Sequence, residues 1–325
     1  MRFPPLLFGA VLLLPAQDSP DVVHARKSYE YAGQGRTSDA EREIRESIRL
    51  APESPLYRSA LAGLLQSAGR MEEAKAEIEK AIGFHSPTET LKTQLASRLE
   101  EIDLELGAQL AKTGQYNAGL SVAADAARRF PNSPRVLQMR GFFESKRQLN
   151  IDAVTSYSRA LELDPSSAES SVGLGIAQAA AGMPVEALKT LEAGRERFPR
   201  DAMHYQATGV LLLQLADAGV AKAARAGSMF EAALRIDGSL AESHYQLGNL
   251  ALQNGDLKAA MEHWLAAGRS APGDSRIHFA LARAYRRGGR ELEAAREMEI
   301  FERAAAAGQR PEQAARVSQP GRTKP

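Results

Sequence analysis

The side chains of this chain that could carry chemistry are six histidines and forty carboxylates, and there is no cysteine. A zinc protease motif needs two histidines at helical spacing, and the segment MEHW (Met261–Trp264) has only one. The segment GLGIAQAAAG (Gly173–Gly182) has the glycines of a dinucleotide loop, but no predicted strand precedes it. Neither a nucleophile elbow nor a phosphate-binding loop is present. We therefore expect no enzymatic activity, no cofactor and no metal site.

The charged residues are balanced, with 41 basic and 40 acidic side chains and a net charge of +1. A chain without a strong field does not attract nucleic acid or anionic membranes, so we expect no nucleic-acid partner. The carboxylates stand beside arginine and lysine, as in solvated pairs on helix surfaces. Apolar residues make up 44% of the chain but aromatic residues only 6%. This composition favours closely packed helices over sheets.

The first residues, MRFPPLLFGAVLLLPAQDS, combine an early arginine with an apolar run from Phe3 to Leu14. A transmembrane helix needs about 20 apolar residues, so this shorter run predicts a signal peptide over residues 1–16, cleaved after Ala16. An uncleaved leader that anchors the chain is the alternative. Without cysteine there can be no disulfide and no lipid-modified cysteine. We expect an exported bacterial protein, periplasmic or secreted, without stable membrane insertion after cleavage.

The chain repeats itself. Five segments end in a similar polar or charged stretch with a proline, at Pro52, Pro131, Pro165, Pro199 and Pro272. The steps from Pro131 to Pro165 and from there to Pro199 are each 34 residues. One small residue stands five positions before each proline, and a second small residue stands twelve positions before each proline. A fixed period of this length indicates a stack of similar structural units.

The residues within one period resemble the tetratricopeptide repeat (TPR), whose pattern is Leu-Gly, then Ala-x3-aromatic, then Pro over 34 residues. The best match carries Leu247, Gly248, Ala260, Trp264 and Pro272. Weaker matches extend the resemblance over nearly all of the mature chain. The predicted repeats are 21–54, 55–88, 100–133, 134–167, 168–201, 202–240, 241–274 and 275–306, within a TPR region at 17–306. Residues 307–325 are polar and net positive, which predicts a disordered tail.

The resemblance implies an all-α fold, an α-solenoid in which helix-turn-helix units stack into a right-handed superhelix. We call the two helices of a repeat helix A and helix B. Small residues at positions eight, twenty and twenty-seven of a repeat let the two helices approach, and a larger residue at position twenty-four fills the space between them. Glycines are predicted to end helix A in the left-handed conformation, at Gly69, Gly114, Gly182, Gly255 and Gly289.

Two repeats depart from the period. Eleven extra residues precede residues 100–133, and eleven is about three helical turns, so we expect one lengthened helix A that keeps its buried face in register. Five extra residues fall in LADAGVAKAARAG of the repeat at 202–240. Five is not a whole number of turns, so we expect a longer loop between the two helices there.

His24, His244 and His278 share position four of their repeats, where the family prefers a large packing side chain. Equivalent positions of stacked helices are around 10 Å apart, too far to share a zinc ion bound at about 2 Å. We therefore expect these histidines to pack rather than to bind metal. By the same pattern Trp264 belongs to the core, and His263 is expected on the surface of helix B.

The resemblance also implies a binding surface, because in TPR proteins one face of each helix A lines a concave groove. Amides on that face could pair with the backbone of an extended peptide, and arginines could pair with its acidic side chains. The alternative, that Arg283, Arg286 and Arg287 only keep a capping repeat soluble, stays open. The candidate residues are Gln138, Phe142, Gln206, Tyr245, Gln246, Asn249, Gln253, Phe279, Arg283 and Arg286.

We expect a non-enzymatic, exported TPR scaffold or adaptor that binds protein partners or extended peptides in this groove. An accessory protein of envelope polysaccharide or cell-wall assembly, which would bind glycan, is the alternative. Glycan binding would require aromatic platforms on neighbouring repeats, and Phe142, Tyr245 and Phe279 meet that requirement in part.

Overall fold

The structure is a computed structural model that describes residues 19–84, 88–215 and 220–317. Within these ranges it contains sixteen α-helices and no strand, as the all-α prediction requires. The predicted signal peptide at 1–16 lies outside the described residues. The chain divides into two compact units, unit 1 up to Arg147 and unit 2 from Gln148 onwards.

Unit 1 contains seven helices, and each packs against the next along the chain. Short connections between them make neighbouring helices antiparallel. The helices are α1 (Pro20–Gly33), α2 (Thr37–Leu50), α3 (Pro55–Ser67), α4 (Met71–Ile82), α5 (Glu89–Lys112), α6 (Tyr116–Arg129) and α7 (Pro134–Lys146).

Unit 2 contains nine helices with the same order of packing, and α9 also contacts α11 across the helix between them. Each unit is thus a stack of helices, as in an α-solenoid. The helices are α8 (Asn150–Leu163), α9 (Ala168–Ala180), α10 (Pro184–Arg197), α11 (Ala202–Gln214), α12 (Val220–Ile236), α13 (Ala241–Gln253), α14 (Leu257–Ser270), α15 (Ser275–Arg287) and α16 (Glu291–Val317).

The turns between helices A and B have the predicted chemistry. All five predicted glycines adopt positive φ, from 70° at Gly289 to 84° at Gly255, and Gly35 joins them at 75°. Glycine reaches this left-handed region without the steric cost of a Cβ. Ser133 precedes α7, which is a helix A. Its hydroxyl accepts a hydrogen bond from the backbone N–H of Val136 at 3.2 Å and so caps the helix.

Close contact between helices A and B depends on glycine at position eight. A Cβ on Gly248 would lie 2.4 Å from Nε1 of Trp264, and a Cβ on Gly209 would lie 2.8 Å from the ring of Phe230. Trp264 is only 2% exposed. The predicted core role of Trp264 is therefore confirmed.

The long helix of unit 1 is α5, which has 24 residues where most helices have 13 or 14. Its buried residues keep the spacing of three and four from Leu95 to Leu110, so the eleven-residue excess is helical and in register, as predicted. Asp103 on α5 is fully buried between Lys75 Nζ on α4 and Arg129 Nη2 on α6, both at 2.8 Å. Burial raises the pKa of this carboxyl, although both cations oppose the rise.

Two sequence predictions about the ends of helices are corrected. The loop expected from five extra residues in the repeat at 202–240 is partly helix, because α12 begins at Val220 and has 17 residues. The alanines at 221, 223 and 224 favour helix over loop. The last helix continues to Val317, so the first eleven residues of the predicted disordered tail are helical. Residues 318–325 lie outside the described part.

No helix among the described residues is both long enough and apolar enough to cross a membrane.

The turn between α7 and α8 has no glycine at its left-handed position. Gln148 has φ 60° in the turn between α7 and α8, where the other described turns between helices A and B have glycine. A side chain in this region costs about 1 kcal/mol. We expect Gln148→Gly to raise the free energy of unfolding by about 0.5–1 kcal/mol and Gly255→Ala to lower it by a similar amount.

Thermal and urea unfolding, followed by circular dichroism at 222 nm, measure both changes. If Gln148→Gly left the midpoint unchanged or lowered it, the left-handed turn would not be a source of strain.

Candidate partner-binding surface

The predicted binding residues of unit 2 lie on the outward side of three helices A, namely α11, α13 and α15. We call this the A-helix face of unit 2 and define it by Gln206, Tyr245, Gln246, Asn249, Gln253, Phe279, Arg283 and Arg286. Gln253 and the three α15 residues are exposed, and the other four are half-buried. The remaining two predicted residues, Gln138 and Phe142, belong to α7 of unit 1.

Side chains link the three helices on this face. Ser243 on α13 donates its hydroxyl to Oε1 of Gln206 on α11, at 3.0 Å. Arg276 on α15 donates to Oε2 of Glu242 on α13, at 2.7 Å, and its guanidinium lies 4.8 Å from the ring centroid of Tyr245. These bonds cross from one repeat to the next, so they hold neighbouring helices A in register.

The charge of Arg276 is neutralised within the fold. Its guanidinium bonds to Asp274 at 2.7 Å as well as to Glu242, and these bonds, first that to Asp274, raise the pKa of Arg276. Gln246 donates to the second oxygen of Glu242 at 2.7 Å, and Asn249 approaches Oε1 of Gln246 at 3.5 Å. The carboxylate of Glu242 therefore orients the amide of Gln246, which in turn is approached by Asn249. Glu242 is not among the residues predicted from sequence.

The far end of the face is cationic and aromatic. Phe279 is 42% exposed, and its ring packs on Phe301 of α16 with centroids 5.3 Å apart. The guanidinium of Arg283 lies 5.8 Å from the Phe279 centroid. Among the described residues, no carboxylate lies within 4.0 Å of Arg283 or Arg287, whereas Arg286 is 4.0 Å from Glu291. Two exposed cations thus remain for a ligand.

The predicted residues of unit 1 form a separate group. Phe142 is half-buried, stands edge-on to Phe143 with centroids 5.2 Å apart, and lies 5.5 Å from Lys146 Nζ. Lys146 is also 6.0 Å from the ring of Tyr116 on α6. The repeat pattern also assigns Lys146 to the groove, whereas Tyr116 is not predicted from sequence. Gln138 lies one turn before Phe142 on α7.

Comparison with a family model decides the family. The model described as "Tetratricopeptide repeat" matches residues 26–87, 152–202 and 245–310, which together are more than half of the chain.

The chain is a TPR protein.

Solved structures support the same fold. A tetratricopeptide repeat protein from Parabacteroides merdae aligns with a TM-score of 0.56 and 18% identity over 81% of this chain and 98% of its own. The TPR protein TTC0263 from Thermus thermophilus aligns at 0.51 and 23% over 57% and 98%. Human IFIT1 aligns at 0.54 and 18% over 91% and 72%. At these identities the likeness shows the fold alone. A search of curated proteins finds no match.

The TPR fold brings one catalytic-looking set together that the sequence did not suggest. His204 Nε2 lies 3.0 Å from Ser171 Oγ, and His204 Nδ1 lies 3.4 Å from Asp201 Oδ1. Serine, histidine and aspartate in this order have the connectivity of an acyl-transfer triad. Ser171 and His204 are 33 residues apart, about one repeat, so their meeting follows from the stacking of neighbouring helices A.

The surroundings of these three residues indicate a structural role. His204 is fully buried, and a Cβ on Gly194 would lie 2.2 Å from its Cδ2, so the ring is packed against a backbone with no room for a substrate. Asp201 accepts the N–H groups of Met203 and His204 as the cap of α11. The N–H of Ser171 already bonds to O of Ser167, the residue that caps α9, so it cannot stabilise an oxyanion.

Two further histidine predictions meet different outcomes. His278 packs as predicted and is 7% exposed. His263 was expected on the surface but is half-buried, with its Nδ1 3.1 Å from Nδ1 of His244. The helical pattern gives the direction of a side chain but not the partner that covers it. No group of three or more possible metal ligands occurs among the described residues.

The buried histidine generates a prediction about pH. Burial lowers the pKa of His204 below its usual value of 6.5, against the opposing pull of Asp201. The unfolded state then takes up a proton more readily than the folded state. Stability is therefore retained above pH 6.5 and falls as the pH drops from 6.5 towards the pKa of the folded protein.

We expect the His204 ring to titrate below pH 6.5 in a two-dimensional NMR experiment on its imidazole nitrogens. We also expect the unfolding midpoint to fall less between pH 7 and pH 5 in His204→Gln than in the parent. A His204 resonance that titrates at or above pH 6.5 would contradict the assignment of a neutral packing ring.

Proposed function

We propose that this TPR protein is a non-enzymatic exported scaffold of eight repeats that binds an extended, acidic segment of a protein partner on the A-helix face of unit 2. The observation that carries the proposal is the exposed Phe279 beside Arg283, with no carboxylate among the described residues close enough to neutralise that arginine. An acidic side chain could pair with the guanidinium, and an apolar one could cover the ring.

The amides of α13 complement these groups. Gln246 and Asn249 are half-buried and held by Glu242, so they lose little side-chain freedom when they bind. Amide groups offer both donors and acceptors, which suits the backbone of an extended chain. The neutralised Arg276 near the start of α15 and the free Arg283 further along it give the face two chemically different parts.

Contacts of the aromatic rings favour peptide over glycan. A sugar ring stacks on an open aromatic face, but the guanidinium of Arg276 lies over Tyr245 at 4.8 Å and that of Arg283 lies near Phe279 at 5.8 Å. On α7 the ammonium of Lys146 is 5.5 Å from Phe142. Each candidate platform therefore has a cation beside its ring. This arrangement suits carboxylate-bearing side chains better than neutral sugars.

A nucleic-acid ligand receives less support. The human IFIT1 structure is of a complex with m7Gppp-AAAA, but at 18% identity that similarity concerns the fold. The net charge of this chain is +1. Arginines such as Arg70, Arg225 and Arg276 are already paired with acidic side chains. An RNA oligonucleotide is therefore a useful control ligand for the peptide experiment.

The affinity of the protein for designed ten-residue peptides can be measured by fluorescence anisotropy. We expect a glutamate-rich peptide with two leucines to bind at least tenfold more tightly than the same peptide with glutamine in place of glutamate, and more weakly as salt rises. Arg283→Ala with Arg287→Ala should lower affinity for the acidic peptide by about tenfold or more, since hydrogen bonds to charged groups contribute about 1.5–3 kcal/mol.

The matched control is Arg235→Ala with Lys258→Ala, which removes the same charge from exposed positions of α12 and α14. An equal loss with both double variants would mean that only net charge matters. Equal affinity for the glutamate and glutamine peptides, or preference for RNA, would contradict the proposed ligand.

Export is a separate proposal that rests on the apolar N-terminal run and its Pro-Ala junction. Intact-mass and N-terminal analysis of the protein expressed with its natural start in a Gram-negative bacterium should find Gln17 as the first residue in the periplasmic or culture fraction. Recovery of the uncleaved chain in the membrane fraction would indicate an anchor instead.

A further inference from the structure

Helices A and B of several repeats are joined by a polar pair whose members are nineteen residues apart. One member stands at position four on helix A and the other at position twenty-three on helix B. In three repeats a basic side chain meets a carboxylate, and the distances are 2.6 Å for His24–Glu43, 2.8 Å for Arg58–Glu77 and 2.7 Å for His278–Glu297. The same place in the fold therefore receives a nitrogen donor and an oxygen acceptor.

The repeat at 241–274 changes this chemistry. His244 occupies the helix A position, but the helix B position carries His263 instead of glutamate. Their Nδ1 atoms lie 3.1 Å apart, and the ring centroids are 5.4 Å apart with an angle of 42° between the planes. Two imidazoles thus replace the charge-compensated pair, and both remain half-buried rather than sealed from solvent.

Hydrogen bonding defines the tautomers of the two rings. His244 Nε2 lies 3.3 Å from the carbonyl oxygen of Gly238, which can only accept, so Nε2 carries the proton and Nδ1 has a lone pair. His263 Nδ1 must then be the donor in the contact between the rings. A backbone carbonyl that fixes one nitrogen and aims the other at a common point is the usual outer support of a metal-binding histidine.

A neutral imidazole is the ligand form of histidine, and Nδ1 of His244 carries the lone pair that a metal bond needs.

The distance also fits. Two nitrogens bound to one tetrahedral ion at about 2.0–2.1 Å are about 3.3–3.4 Å apart. The rings therefore need to separate by a few tenths of an ångström and to turn until both Nδ1 lone pairs point at the ion. When an ion binds, the Nδ1 proton of His263 leaves to solvent and a proton returns to its Nε2, which restores a neutral ring.

We propose that His244 and His263 form a two-imidazole site for a divalent transition-metal ion of the class that prefers nitrogen ligands, such as Cu²⁺, Ni²⁺ or Zn²⁺. Water completes the coordination, because no third histidine or carboxylate joins the two rings among the described residues. The site joins helix A to helix B within one repeat. Hard ions such as Mg²⁺, which prefer oxygen ligands, are not accepted.

The experiment uses the full chain without an affinity tag. Paramagnetic Cu²⁺ or Ni²⁺, added in substoichiometric amounts, should broaden the imidazole NMR signals of His244 and His263 before those of His24 and His278. Calorimetry with Zn²⁺ should show one saturable site, and Mg²⁺ should show none. Broadening that begins at another histidine, or equally at all of them, would overturn the proposal.

The decisive variant is His263→Gln, whose side-chain amide can still donate a hydrogen bond to His244 Nδ1 but is a poor ligand for these ions. We expect it to weaken Ni²⁺ and Cu²⁺ binding at least tenfold, while His278→Asn leaves the affinity unchanged. Unchanged binding in His263→Gln, with circular dichroism showing a native helix content, would exclude the second imidazole as a ligand.

Discussion

Contact between a large side chain on helix B and a glycine at position eight of helix A fixes the distance between the two helices in the repeats at 168–201, 202–240 and 241–274. Trp264 shows how much depends on this contact. Its ring lies where a Cβ of Gly248 would be, and its Nε1 donates to the backbone carbonyl of Tyr245 at 3.3 Å. The tryptophan is therefore packed and hydrogen-bonded at once, and it anchors the backbone of α13. Because that side of α13 is committed to the core, Asn249 and Gln253 are left on the opposite side.

Electrostatic pairing then divides the exposed side of the helices A. The Glu242–Arg276 ion pair joins successive repeats and removes the charge of an arginine that the sequence pattern would place on a binding surface. Exposed pairs of this kind contribute little stability in water. Their effect here is one of position, since the same carboxylate orients Gln246. Two turns further along α15, Arg283 has no such acid among the described residues, so charge available to a ligand is concentrated at that end.

Periodicity explains what the sequence could predict. A helix pair, its glycine turn and its packing residues recur in each repeat, so Gly255 or Trp264 could be assigned by comparison with the other repeats. Features that occur once could not be assigned in this way. Gln148 adopts a glycine conformation without the glycine signal, and the pairing of His263 with His244 depends on which two side chains meet. Whether Arg276 is free or neutralised likewise depends on the neighbouring repeat, which a pattern within one repeat does not report.

Repetition also lets one place in the fold take different chemistry without loss of the fold. Positions four and twenty-three lie at the edge of the A–B contact, where His278 is buried and the other members of these pairs are half-buried, while the small residue at position eight and the large residue at position twenty-four keep the helices together. That place holds Arg58 with Glu77 in one repeat and two imidazoles in another, and the helices differ little in length. A substitution there is constrained by hydrogen bonding rather than by volume, since an unpaired polar group would be costly at that depth. The His244–His263 pair satisfies that constraint with a single shared proton. Two nitrogen ligands can therefore occupy this place while the packing around Trp264 is retained.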